Sequence, residues 1–275
     1  MFSIDRNDLY EVAIPMRTLI IFAKTAVEGK VKTRLTTSTP LNDEQTTLLY
    51  EAFLKDTFTM ATLSSAERIA IHYHPGDDAA MKKMRRLVRS LSFGARNERR
   101  FHYVPQAEGD FTTKVVHAFT VEKELAGGHD MVIIGADSPL VRPETLDDAF
   151  NFIYQRSGMT LGPSGGGGVY LIGYAENVEL DYSGVFTEGS ELENLLNRAK
   201  HLKIPFKLLP ETIDVDIEED LVTLVGMVHA LAYERNFGDG YYPVFTHKAI
   251  EELRLGVVRT ADDTRAKRIV IKPEE

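Results

Sequence analysis

The chain has no cysteine among its 275 residues. Disulfides, thiolate metal sites and a cysteine nucleophile are therefore excluded. Tryptophan is absent as well. No apolar stretch approaches the roughly 20 residues that a membrane-spanning helix needs; the purest ones, TLIIFA at 18–23 and MVIIG at 131–135, are strand-sized. Positive charge is scarce, with 32 Lys and Arg against 41 Asp and Glu and a net charge of −9. A general nucleic-acid binder needs a basic face, so no nucleic acid is expected as a partner, while a local basic pocket for phosphates stays open. A GxSxG nucleophile elbow and a GxxxxGK[ST] phosphate loop are both missing. Residues 1–11 mix Asp5, Arg6, Asp8 and Glu11 with apolar residues, and no signal-peptide core follows. The expectation is a cytoplasmic protein without a membrane span.

What is present alternates in period. The run at 18–23 reads as a buried strand, and 42–63 places Leu48, Leu49, Ala52, Phe53 and Phe58 at helical spacing. Strands are expected at 68–73, 100–104, 131–135 and 206–209, and on either side of a glycine run at 159–161 and 169–172. Helices are expected from Asp77 or Asp78 onward, at 110–125 with Gly127 and Gly128 ending it, from Pro143 to Phe152, at 190–201 and at 217–233. Alternation of this kind predicts an α/β fold with a mostly parallel sheet covered on both faces. The chain divides into an N-terminal arm (1–16), a main domain (17–235) and a C-terminal appendage (236–275). The appendage is turn-rich, with a helix at 248–255, a charged segment at 259–268 and a final strand, RIVIK.

Ligands of such sheets sit at the carboxyl ends of the strands, which directs attention to four loops. The first, KTAVEGKVKTRL at 24–35, sets Lys24, Lys30, Lys32 and Arg34 directly after a strand, with Gly29 permitting close backbone approach. Lysine offers point charges and arginine a fork for phosphate oxygens; the loop is either a phosphate cradle or a solvated basic surface. The second, GADSP at 135–139, brings Asp137 to the ligand edge, where a carboxylate can hold Mg2+ or Mn2+; the alternative is that Asp137 or Ser138 caps the next helix. The third contains four successive glycines, Gly165, Gly166, Gly167 and Gly168, suited either to a ligand's close approach or to a hairpin connection. In the fourth, DVDIEEDL at 214–221, Asp214 and Asp216 alternate and so point the same way if extended, able to complete a metal site. Asp216 can equally be an N-cap with Glu219 in the capping-box position. His72 and His74 alternate on a strand but lack a third ligand nearby, which favours ordinary packing or surface roles.

The order of these loops resembles a family of GT-A-like nucleotide-diphospho-sugar transferases, of the rSAM/selenodomain-associated type and related to small nucleotidyltransferases. FAKTAVEGKVKTRL resembles the family's F-x-K-x-P-x-x-G-x-V-K-T-R-L, IGADSPLVRPETLDDAF its IG-x-D-x-P segment, LGPSGGGGVYLIG its GPA-x-DGGYYLIG, and DVDIEEDL its DVDTPEDL. The similarity runs from Arg17 to Val228 in order and spacing. It implies a GT-A, three-layer α/β/α fold and a metal-dependent transferase, with a nucleotide or nucleotide-sugar donor and a small-molecule acceptor. Lys24, Lys30, Lys32 and Arg34 would meet donor phosphates, together with Gly29 and Gly166 to Gly168. Asp137 and Asp216 would be the catalytic and Mg2+- or Mn2+-binding carboxylates. Glycosyl transfer is the first expectation; nucleotidyl transfer to a phosphorylated small molecule and a non-catalytic nucleotide-binding module are the alternatives, and self-association is left open. The chain departs from the pattern at Gly166, where the family has Asp, at Val169 in place of Tyr, and at Thr113 and Lys114 in place of Glu and Arg. A proton-accepting role falls on Asp110 or Asp216.

Overall fold

The structure, a computed structural model, describes residues 16–126, 130–260 and 266–273. The N-terminal arm, except Met16, and the expected helix end at Gly127 and Gly128 lie outside the described residues, as does part of the charged segment. Seven strands form the main sheet: β1 (Arg17–Lys24), β2 (Arg68–His74), β3 (Phe101–Pro105), β4 (Asp130–Gly135), β5 (Met159–Pro163), β6 (Val169–Tyr174) and β7 (Phe206–Leu208). Their spatial order is β3-β2-β1-β4-β6-β5-β7. β1 pairs parallel with both β2 and β4, and β2 with β3. β6 runs antiparallel between β4 and β5, and β7 closes the edge parallel to β5. Leu19, Ile20 and Ile21 of β1 are fully buried, as expected for a central strand covered on both faces.

Helices flank the sheet: α1 (Thr33–Ser38), α2 (Asp43–Leu63), α3 (Asp78–Ser90), α4 (Ala95–Glu98), α5 (Phe111–Ala126), α6 (Pro143–Arg156), α7 (Glu191–Leu202), α8 (Glu218–Glu234) and α9 (Val244–Glu252). Their starts follow sequence chemistry. Asn42 accepts from the Gln45 amide while the Gln45 side chain accepts from Asn42, a reciprocal cap on α2. Asp77 caps α3 through the Ala80 amide, Pro143 opens α6, and Ser190 caps α7. The α/β fold with a mostly parallel sheet is thus as expected, with β6 as the reversed strand.

Two boundaries differ from expectation in the C-terminal segment. α9 begins at Val244 rather than 248, and residues 255–259 form β8 (Leu255–Arg259), paired antiparallel with β9 (Lys267–Ile271). Helical periodicity is weak over nine residues, whereas Val257 and Val258 are β-branched and fit a two-stranded ribbon. α9 lies on α2 through a buried carboxylate: Asp56 accepts from the amides of Phe245 (3.0 Å) and Thr246 (2.6 Å). The Tyr241 hydroxyl donates to the Asp56 carbonyl at 3.1 Å. The Glu218 carboxylate at the start of α8 accepts the Ile269 amide at 2.9 Å and ties the hairpin down.

Candidate active site

The carboxyl ends of β1 and β4 open into a cavity of about 540 Å³, within the 300–1,000 Å³ range of small-molecule sites. Its floor carries a charge cluster assembled from three distant segments. Lys32 is the residue just before α1 and has a left-handed backbone, φ 48°, a costly conformation for a side-chain-bearing residue. Its side chain is only 4% exposed. The ammonium donates to Asp137 Oδ2 and Asp216 Oδ1, both at 2.9 Å. Arg34, on the first turn of α1, reaches Asp216 Oδ2 at 3.3 Å.

Local structure explains how the carboxylates converge. Asp137 leaves the end of β4 beside Gly135, where a Cβ would lie 2.7 Å from Asp137 Oδ1; glycine there is required by the side chain's position. Ser138 does not cap α6 but donates to Asp214 Oδ1 at 3.2 Å. The Val215 amide donates to the Asp137 carbonyl at 3.0 Å, clamping the two acidic segments together. Asp216 is not the N-cap of α8, and Glu219 is not its capping partner. Instead Asp220 accepts from the amides of Asp216 (2.9 Å) and Ile217 (3.0 Å), which leaves the Asp216 carboxylate to Lys32 and Arg34.

The electrostatics follow from burial against charge. Burial alone would lower the Lys32 pKa, but the charges of Asp137, Asp216 and Asp214 raise it above the ordinary lysine value. Burial opposes ionisation of Asp137, yet the Lys32 charge and hydrogen bond hold its carboxyl below the usual range. For Asp214, burial and the charges of Asp137 and Asp216 outweigh the opposing charge of Lys32 and push it up to about 7. Tyr50 of α2 stands under the cluster: its hydroxyl accepts the Lys24 amide at 3.0 Å, and its ring lies 5.9 Å from Lys32 Nζ. Burial raises the Tyr50 hydroxyl pKa, so it stays protonated.

Lys24, Lys30 and Arg34 line the cavity with Lys114. The opposite wall is aromatic. Phe111 meets Phe186 edge-on with ring centroids 4.8 Å apart, and Phe22 at 6.0 Å. Gly29 has a φ of 68° and turns the loop, and it is not among the lining residues. Gly166, Gly167 and Gly168 also lie outside the lining. They form the turn of the β5–β6 hairpin, and the Gly167 carbonyl accepts from Ser190 at 2.8 Å. Of the two readings of the run, the hairpin connection is the one seen in the fold. An added Cβ at Gly166 meets nothing within 4 Å. Asp110 caps α5, accepting from the Thr113 amide and hydroxyl at 2.8 and 2.7 Å, and it too lies outside the cavity lining. His72 is fully buried and faces Glu122, as packing would have it.

Sequence reasoning did not find Tyr50, Gln106, Phe111 or Phe186. Tyr50 sits in an amphipathic helix and reads as core, and the aromatic wall joins β1, α5 and the segment before α7, a juxtaposition that local periodicity does not encode.

Comparison with known proteins agrees with this architecture. The sequence family described as "Uncharacterized protein conserved in bacteria (DUF2064)" matches residues 57–188. No functionally curated protein matches the sequence. A Desulfovibrio desulfuricans crystal structure provisionally named a nucleotide-diphospho-sugar transferase is 23% identical, with a TM-score of 0.70, covering 86% of this chain and 94% of its own. More remote is a 4-diphosphocytidyl-2C-methyl-D-erythritol synthase from Anaerococcus prevotii, at 10% identity and a TM-score of 0.48 over 78% of this chain and 99% of its own. A Mycobacterium tuberculosis protein in complex with manganese is 14% identical, with a TM-score of 0.41 over 78% and 99% of the two chains. Among the described residues no helix is long and apolar enough to cross a membrane. The chain is similar to that bacterial family over its central residues, and it shares the α/β fold of the Desulfovibrio desulfuricans structure.

Proposed function

We propose that the protein is a transferase drawing on a nucleotide-activated donor, and specifically a metal-dependent glycosyltransferase using a nucleotide-diphospho-sugar. The observation that carries this reading is the Lys32 ammonium held between Asp137 and Asp216 on the floor of a cavity ringed by further cations. Carboxylate oxygens from Asp137 and Asp216 already converge on one cation, and Asp214 stands beside them. Such a set of hard oxygen donors fits Mg2+ or Mn2+. When bound, the ion would neutralise charge on the donor diphosphate.

The protein's own residues do the rest. Asp137 and Asp216 would hold the ion, and the Lys32 ammonium between them would add a positive charge beside the donor phosphates. Arg34, Lys24, Lys30 and Lys114 supply further positive charge along the cavity. The acceptor hydroxyl oxygen bonds to the anomeric carbon as the sugar–phosphate C–O bond breaks, its proton passes to solvent, and the nucleoside diphosphate leaves against these cations. Phe22, Phe111 and Phe186 offer ring faces and edges to the apolar face of a base or sugar. The ligand suited to such a cavity is amphipathic, polyanionic at one end and flat at the other.

The test is product analysis. The tag-free protein is incubated with nucleotide sugars and nucleoside triphosphates, acceptor pools and Mn2+, and nucleotides are separated chromatographically. Acceptor-dependent release of a nucleoside diphosphate is expected. Pyrophosphate release with a phosphorylated acceptor would move the protein to nucleotidyl transfer, and binding without turnover would make it a nucleotide-binding module.

A further inference from the structure

A second cluster of ligating side chains lies in the C-terminal segment. His247 and Glu251 are one helical turn apart on α9, and His229 faces them from α8. A single oxygen, Glu251 Oε1, lies 3.2 Å from His229 Nε2 and 3.9 Å from His247 Nε2. All three ligating atoms fall within 4.8 Å of one another. In a tetrahedral zinc site with metal–ligand distances near 2.1 Å, neighbouring ligand atoms stand about 3.4 Å apart. The cluster is therefore within about half an ångström of coordinating spacing on the measured pairs, and the 64% exposed Glu251 side chain is free to close that gap.

The scaffold beneath the three residues is fixed. The first turn of α9 is pinned to α2 by Asp56 through the amides of Phe245 and Thr246, the latter adjacent to His247. Ala249 and Ile250 bury the inner face of α9, and Val228 buries that of α8 next to His229. The Tyr242 ring meets the His247 ring edge-on at 6.0 Å, and the two histidine rings are themselves 6.0 Å apart. Nearby cations are engaged with rings: Arg235 lies over Tyr242 at 5.6 Å and Lys248 over Phe245 at 5.8 Å.

We propose that His229, His247 and Glu251 form a metal site separate from the carboxylate cavity, taking a late first-row divalent ion, zinc above all, that bridges α8 and α9. Two imidazoles and one carboxylate are the donor set of three-ligand zinc sites, and nitrogen donors favour zinc, nickel and copper over magnesium and calcium. The cavity cluster has oxygen donors alone, so the two sites sort metals by ligand chemistry. A bound ion would tie α9 of the C-terminal segment to α8 of the main domain and leave a coordination position for water.

The experiment is zinc titration of the tag-free full-length protein by calorimetry in millimolar Mg2+, which saturates oxygen-donor sites. One equivalent of Zn2+ is expected to bind to wild type and to an Asp137→Asn/Asp216→Asn variant, and not to His229→Gln/His247→Gln. Zinc should raise the melting temperature of the first two proteins and leave that of the third unchanged. Circular dichroism verifies the fold, and electron paramagnetic resonance of the Cu2+ form gives an independent reading: two coupled nitrogens in wild type and one in His229→Gln. Zinc binding that persists in the double-histidine variant, no binding to wild type at micromolar zinc, or a nitrogen count unchanged in His229→Gln would overturn the proposal.

Discussion

Under β2, Glu122 is fully buried, and Arg68 Nε and His72 Nε2 lie 2.6 and 3.1 Å from its two oxygens. On the floor of the cavity, Asp137 and Asp216 are partly open and share one lysine ammonium. Asp56 belongs with Glu122: it is 1% exposed, and its partners are backbone amides of α9. Amides fixed in a helix terminus and a guanidinium packed in the core cannot be exchanged for a ligand. A lysine on a flexible stem can be, and its partners face open space. The contrast separates carboxylates that hold the fold from carboxylates poised to bind, through partner chemistry and through exposure: Glu122 and Asp56 are buried, whereas the Asp137 and Asp216 side chains are 34% and 45% exposed.

The comparison breaks most visibly at Glu122. Glu122→Ala leaves a buried arginine and histidine without their acceptor, and removing one partner of a buried pair costs about 3–5 kcal/mol. Urea unfolding should show that loss, with nucleotide binding by the remaining folded protein unchanged. Asp56→Ala strands two amides at the start of α9 and should cost about 2 kcal/mol, with earlier hydrogen exchange over 244–252 than over β1. An unchanged exchange pattern would contradict the anchoring role.

Asp214 sharpens the comparison from the other side. Its pKa is raised from 3.8 to about 7 in the fold. A group raised in this way contributes stability that is present below about pH 4 and lost as pH climbs through about 7. Asp214→Asn mimics the protonated form, so it should stabilise the protein by about 1–2 kcal/mol at pH 8, and the gain should vanish by pH 4. Thermal melts at the two pH values decide the matter, and a gain that is the same at both would contradict the assignment. The smallest effect is expected at Tyr241→Phe, which loses the hydroxyl bond to the Asp56 carbonyl and about 1 kcal/mol.

Much of the fold was legible because its central strands are short apolar runs and its helices carry explicit start signals, as at Asn42, Asp77, Pro143 and Ser190. The direction of β6 was not, since strand polarity is decided by which neighbour it pairs with and not by its own residues. Of the β8–β9 ribbon, β9 was legible as the final strand, while β8 was hidden behind the helix-like residues that precede it. Within the cavity, Lys32, Arg34, Asp137, Asp214 and Asp216 were visible as charged residues following strands. Their division of labour was not: the Asp220 bonds that free Asp216, and the Ser138 bond to Asp214, are contacts that spacing alone does not specify. The glycine run left two readings open because a ligand loop and a tight hairpin require the same conformational freedom.

The central claim is that the Lys32–Asp137–Asp216 cluster is a donor site whose carboxylates would hold a divalent ion. Titration calorimetry with UDP, GDP and CDP, their sugar forms and the triphosphates, with and without Mn2+, tests it most directly when wild type is run beside Asp137→Ala and Lys32→Ala/Arg34→Ala. The account predicts Mn2+-dependent binding of one nucleotide series to wild type, weakened at least tenfold, or about 1.4 kcal/mol, in both variants. Absence of binding to any nucleotide, or binding indifferent to Mn2+ and to both variants, would contradict it.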